Sequence, residues 1–176
     1  MARCRSFPCW HCDSRQFRLT MEIEIHYEDT DCAGVVYYAN YLKYFERART
    51  YYLRDRNIAV TDLLRGGTQF MVTHAEVHYR SPARYGHVLT IETRVTHRSK
   101  ATLTFSHTIR ERASRQIVVE GSATLASVNL EGKLKRLPQP LRDMPEQPLP
   151  PLIAPPDSPL QTAPRSLARR HGKQSG

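Results

Sequence analysis

Tyr41-Leu42-Lys43-Tyr44-Phe45-Glu46-Arg47-Ala48-Arg49-Thr50-Tyr51-Tyr52 decides the fold. Tyr41, Tyr44, Phe45, Ala48 and Tyr52 recur at i, i+3, i+4, i+7 and i+11, an apolar stripe of helical period. Lys43, Arg47, Thr50 and Arg54 point elsewhere. A stripe this wide and aromatic calls for a sheet that wraps the helix. Asn40 and Asn57 are candidate ends.

Outward from this helix the period changes. Upstream, Met21–Tyr27 alternates Ile23, Ile25 and Tyr27 against Glu22, Glu24 and His26, a half-buried strand. Glu28-Asp29-Thr30-Asp31-Cys32-Ala33-Gly34 then supplies turn chemistry. Downstream, Phe70 and Val72 share one parity while Ala75, Val77 and Tyr79 share the other. That predicts a bulge near Thr73-His74. Pro82 and Gly86 interrupt the chain. Three further strands follow, on Leu89–Val95, Leu103–Ile109 and Ile117–Leu125. Their links at His97–Lys100 and Glu111–Ser114 are too short for crossover helices, so the strands pair antiparallel. The expected architecture is α+β: one long helix wrapped by a curved antiparallel sheet.

The 176 residues carry a net charge of +9. More than half of it falls in 1–20 and 138–176. The middle is too mildly basic for a nucleic-acid track and suits a small polyanionic ligand better. No apolar run reaches transmembrane length, and the N-terminus lacks a signal-peptide stretch. These features predict a soluble, intracellular protein. Residues 1–20 hold Cys4, Cys9 and Cys12, and the Cys9-Trp10-His11-Cys12 pair has neither a following βα pattern nor a second ligand pair. They are expected to form a disordered leader, with Met21 an alternative start. The domain is expected over 21–137, and the Pro-rich, basic 138–176 as a disordered tail. His74, His78, His97 and His107 are expected in the core or on sheet faces, with no metal site and no cofactor.

Tyr27-Glu28-Asp29-Thr30-Asp31-Cys32-Ala33-Gly34-Val35-Val36-Tyr37-Tyr38-Ala39-Asn40-Tyr41 closely resembles the signature of the YbgC and 4-hydroxybenzoyl-CoA thioesterase family. Phe45-Glu46-Arg47-Ala48-Arg49-Thr50 and Tyr79-Arg80-Ser81-Pro82-Ala83-Arg84 continue the match, which spans roughly 21–137. The resemblance implies the hotdog fold, dimers or tetramers with active sites between subunits, and acyl-CoA thioester hydrolysis. It puts the catalytic aspartate on Asp31 and the oxyanion donor on the backbone N–H of Tyr38. It further implies association with the Tol-Pal envelope system or phospholipid-synthesis proteins. The expected place is the cytoplasm, with a peripheral position at the inner membrane as the alternative.

Thioester hydrolysis needs a base or nucleophile near the carbonyl carbon, and donors where charge develops on oxygen. A loop carboxylate before a helix start supplies both, since the first helical N–H groups are unpaired. Asp31 can attack directly or activate water. Asp29 is expected to be structural. Gly34 allows close approach to substrate. Arg84, Arg98 and Lys100 are candidates for the coenzyme A phosphates. Two other readings stand beside this one. A hotdog hydratase would want a His on the helix, which has Glu46 but none. A non-catalytic acyl-CoA binder or interaction protein is the alternative that a hydrolysis assay separates.

Overall fold

The computed structural model describes residues 19–146. Helix α1 runs Asn40–Arg54, and Tyr41, Tyr44, Phe45, Ala48 and Tyr52 are all buried. Asn57, at φ 58°, takes the left-handed conformation just past its end, where Asn is tolerated better than most residues. The strands are β1 (Leu19–Glu24), β2 (Gln69–Tyr79), β3 (Val88–Arg98), β4 (Thr102–Glu111) and β5 (Ile117–Val128). They form one antiparallel sheet in the order β1-β3-β4-β5-β2. The long central helix against this sheet is the expected α+β arrangement. The bulge expected in β2 falls between Val72 and His74.

The packing under α1 explains the aromatic stripe. Phe45 stacks on His107 with ring centroids 4.4 Å apart. It also covers Gly121, where a Cβ would lie 2.7 Å from the ring and 2.4 Å from the Glu76 carbonyl oxygen. No side chain fits there, so glycine is what lets helix and sheet approach. One turn on, Tyr52 meets Phe105 edge to face at 5.7 Å. His107 is buried, with Nδ1 3.0 Å from the Thr93 hydroxyl. Burial, and then the Arg49 charge, hold its pKa well below the ordinary histidine value, so the ring stays neutral in the core. By contrast His74, His78 and His97 are exposed on their strands.

The fold departs from the expected boundaries at the C-terminal side. Leu137, Leu141 and Met144 are buried in the cluster around Tyr52, Val95, Leu103 and Phe105. Helix α3 (Gln139–Arg142) carries Leu141, and Arg98 hydrogen-bonds the Met144 carbonyl. The packed domain therefore continues to at least Met144, past the boundary expected at 137. These side chains are isolated among prolines and give no periodic signal. Yet each fills a gap worth about 1.5–3 kcal/mol when a side chain of this size is buried. The short helix α2 (Val60–Arg65) was also not expected. At the other end, Leu19 and Thr20 pair with Thr93 and Glu92, so strand β1 begins before Met21. Residues 1–18, with Cys4, Cys9 and Cys12, and residues 147–176 lie outside the described residues.

Strand β2 is an edge. It pairs with β5 alone among the described strands, and its Met71, Val72 and Tyr79 are exposed. No helix among the described residues is long and apolar enough to cross a membrane.

Candidate active site

The loop between β1 and α1 is fixed at several points. Thr30 bridges Val36, and Val35 bridges Arg84. The Val36 N–H donates to the Ala83 carbonyl at 2.9 Å. Segment 30–36 is thus a narrow antiparallel loop laid against residues 83–84, immediately before the start of α1.

Two aspartates occupy this loop, and their surroundings differ. The carboxylate of Asp29 accepts from the Tyr44 hydroxyl at 2.8 Å and from the His26 N–H at 2.9 Å. Its carbonyl accepts from the Tyr37 N–H at 2.8 Å and the Asn40 side-chain amide at 2.9 Å. Burial, reinforced by this bond to Asp29, pushes the Tyr44 pKa far up, so the hydroxyl remains a donor. Asp29 ties the loop to the helix and matches the structural role expected for it.

Asp31 is committed differently. Its backbone donates to Val35 and accepts from Gly34, both at 2.9 Å. Of the carboxylate, only Oδ1 is engaged, by the Ala33 N–H at 2.9 Å. Oδ2 has no partner among the described residues. One oxygen thus fixes the side chain while the other is available for chemistry. Next to Asp31, Cys32 is an exposed free thiol.

At the helix entrance, the Tyr37 N–H goes to Asp29 and the Asn40 N–H to Tyr37. The N–H groups of Tyr38 and Ala39 have no acceptor among the described residues. They stand at the positive end of a 15-residue helix, where an anion or a polarised carbonyl oxygen is favoured. The Tyr38 ring is largely exposed and lies 4.6 Å from that of Tyr37. The Tyr38 carbonyl accepts from the Tyr79 hydroxyl at 3.1 Å.

Among the residues expected to hold the coenzyme, Gly34 and Arg84 come together. Gly34 has φ +71°, and a Cβ there would lie 3.9 Å from Arg84 Nη1. Arg84 is exposed and faces the loop that carries Asp31. The structure does not bring Arg98 and Lys100 to this place. Arg84 lies just before β3, whereas Arg98 ends it, about 30 Å away at strand rise. Arg98 is held by the Met144 carbonyl and pairs with Glu146 at 3.9 Å. Lys100 lines a shallow depression of about 310 Å³ with Ala101, Leu134, Lys135 and Arg136.

Known proteins resemble this chain in sequence and in fold. The thioesterase superfamily model matches residues 33–118. The acyl-CoA thioester hydrolase YbgC of Escherichia coli O6:H1 is 34% identical over 118 residues, covering 66% of this chain and 87% of that protein. The acyl-CoA thioesterase YbgC of Haemophilus influenzae is 39% identical over 116 residues, covering 64% and 82%. A crystal structure of a probable thioesterase from Bartonella henselae superposes with a TM-score of 0.63 at 32% identity, covering 74% of this chain and all of that one. The chain belongs to the YbgC-type thioesterases of the hotdog fold.

Several residues around this candidate site escaped sequence reasoning. Tyr44 counted only as a stripe residue, yet its hydroxyl holds Asp29. Asn40 was expected to mark a helix end, and its amide also ties the loop down. Tyr79 counted only as a strand residue, but it reaches the helix entrance across 41 positions of sequence. Arg49, a charge on the helix, is buried beside His107. Nothing local in the sequence distinguishes it from its exposed neighbour Arg47.

Proposed function

We propose that this chain hydrolyses acyl-CoA thioesters to the free acid and coenzyme A, with Asp31 as base or nucleophile. The observation that carries the proposal is the half-engaged carboxylate of Asp31 beside a helix entrance with unpaired N–H groups. A thioester carbonyl over that entrance would direct its oxygen at the Tyr38 N–H, which stabilises developing negative charge. Asp31 Oδ2 would then either attack the carbonyl carbon and expel the coenzyme A thiolate, leaving an anhydride that water cleaves to the free acid, or take a proton from a water that attacks the carbon as the C–S bond breaks and the thiolate leaves; the thiolate takes up a proton from water. Gly34 leaves room for the thioester arm, and Arg84 supplies a cation for a coenzyme phosphate.

The assembly we propose is a homodimer or homotetramer. The unpaired edge of β2, with its exposed apolar side chains, supports a second copy there. Arg98 and Lys100 lie too far from Asp31 of their own chain, so in this scheme they serve the coenzyme of a neighbouring subunit. Sedimentation tests the assembly, and a fully active monomer would refute it.

The test of function is hydrolysis across a panel of acyl-CoA lengths that includes 4-hydroxybenzoyl-CoA. Wild type should turn over at least one member. Asp31→Asn should lower kcat by a factor on the order of 10² or more while retaining substrate binding. Unchanged turnover in Asp31→Asn would remove Asp31 from the mechanism. Binding without turnover in wild type would make the chain an acyl-CoA-binding protein.

A further inference from the structure

The entrance of α1 is held from a second direction, by Tyr79. This residue ends β2, one of the two edge strands of the described sheet, and its hydroxyl donates to the Tyr38 carbonyl at 3.1 Å. Its ring packs edge-on against Tyr41 at 5.8 Å, and Tyr41 is buried in the first turn of the helix. Desolvation, with the neighbouring Tyr38 phenol, raises the Tyr79 pKa, so the hydroxyl is a donor throughout the neutral range.

The carbonyl that accepts this bond belongs to the peptide unit that also contains the Ala39 N–H. Hydrogen bonds at the two ends of one peptide reinforce each other. A donor on the Tyr38 oxygen therefore strengthens the Ala39 N–H as a donor in its turn. It also fixes the plane of that peptide, which directs the N–H. The Ala39 N–H has no acceptor among the described residues, and it stands beside the Tyr38 N–H at the same helix end.

We propose that Tyr79 is a positioning residue for the oxyanion site, and that the Ala39 N–H it orients acts as a second donor to the thioester oxygen. This rests on the thioesterase mechanism proposed above. The arrangement has a consequence for assembly. The strand that carries Tyr79 has an edge that is unpaired among the described residues, so pairing of β2 with a second copy would stiffen the support of the oxyanion site.

The test uses Tyr79→Phe in the full chain, which keeps the ring against Tyr41 and removes only the hydroxyl. Losing one positioning hydrogen bond should lower kcat by on the order of tenfold, with KM and melting temperature close to wild type. A role confined to stability would instead move the melting temperature and leave kcat unchanged in the folded protein. The second readout is the thioester carbonyl stretch of substrate bound to Asp31→Asn. Polarisation by two donors should shift it to lower frequency than in free substrate, and adding Tyr79→Phe should reverse part of that shift. Wild-type hydrolysis abolished by Asp31→Asn, together with a normal kcat and an unchanged carbonyl shift in Tyr79→Phe, would overturn this inference and leave the mechanism standing. Absence of hydrolysis in wild type, or full activity in Asp31→Asn, would overturn the mechanism itself and the Tyr79 role with it.

Discussion

Asp29 and Asp31 stand two residues apart on one loop, with the same charge, and the structure gives them opposite surroundings. Both carboxylate oxygens of Asp29 are engaged, by the Tyr44 hydroxyl and the His26 N–H, and its carbonyl accepts from the Tyr37 N–H and the Asn40 amide. The Asp31 side chain is held by one N–H through one oxygen. A carboxylate with both oxygens bound by protein donors stabilises the fold, and it has little freedom left to take a proton or attack carbon. A carboxylate fixed at one oxygen and open at the other keeps its orientation and its reactivity together. Proximity in sequence and identity of type do not predict which is which. The accounting of hydrogen-bond partners does.

The largest effect on the structural side of this comparison is expected from Asp29→Ala. It strands the buried Tyr44 hydroxyl and the His26 N–H, and should cost about 1.5–3 kcal/mol of stability, the range for charged hydrogen bonds. Denaturant melts check it. A loss below about 0.5 kcal/mol would show that Asp29 does not hold the loop.

Acid sensitivity sharpens the comparison by separating the core from the site. His107 has a folded pKa well below its ordinary value, so the unfolded chain binds a proton that the folded chain refuses. The linkage is then full stability above about pH 6.5 and a loss that grows as pH falls from there toward the folded pKa. Its limit is about 1.4 kcal/mol per pH unit. Stability curves between pH 7 and 5 should therefore slope less in His107→Leu than in wild type. Equal slopes would mean that His107 titrates normally.

Tyr44→Phe removes one donor to Asp29 and leaves the ring in place. It should cost about 1 kcal/mol and leave kcat within about twofold. A large loss of turnover would show that the anchoring half of the loop also sets the reactive half. The smallest expected effect is that of Arg84→Gln, which should raise KM roughly three- to tenfold with kcat unchanged. Added salt should weaken substrate binding more in wild type than in the variant. Equal KM values in wild type and variant would remove Arg84 from the coenzyme site.

Much of the fold was legible because periodicity reports burial directly. The stripe from Tyr41 to Tyr52 and the parity change at Thr73-His74 translate into a buried helix face and a bulge. Leu141 and Met144 were not legible. Their burial depends on a gap left by Tyr52, Val95 and Phe105, which are far away in sequence. Arg49 is a similar case, since a charge on a helix reads as solvent-facing unless the packing around it is known. At the site, the resemblance singled out Asp31, and turn chemistry marked the loop. The reach of Tyr79 to the Tyr38 carbonyl was hidden, because it depends on where the end of β2 falls beside the helix. The separation of Arg98 from Arg84 was hidden as well. Both are turn residues by sequence, and only the length of β3 sets them apart.

The central claim is that chemistry resides at residue 31 and anchoring at residue 29. It is tested most directly by measuring kcat and melting temperature together on Asp29→Asn and Asp31→Asn, under the same conditions. Both changes keep side-chain size and remove one negative charge. The account predicts a crossover: Asp31→Asn loses a factor on the order of 10² or more in kcat and melts near wild type, while Asp29→Asn melts lower and keeps kcat within a few-fold at temperatures where it is folded. Loss of turnover in Asp29→Asn with near-normal turnover in Asp31→Asn would contradict it.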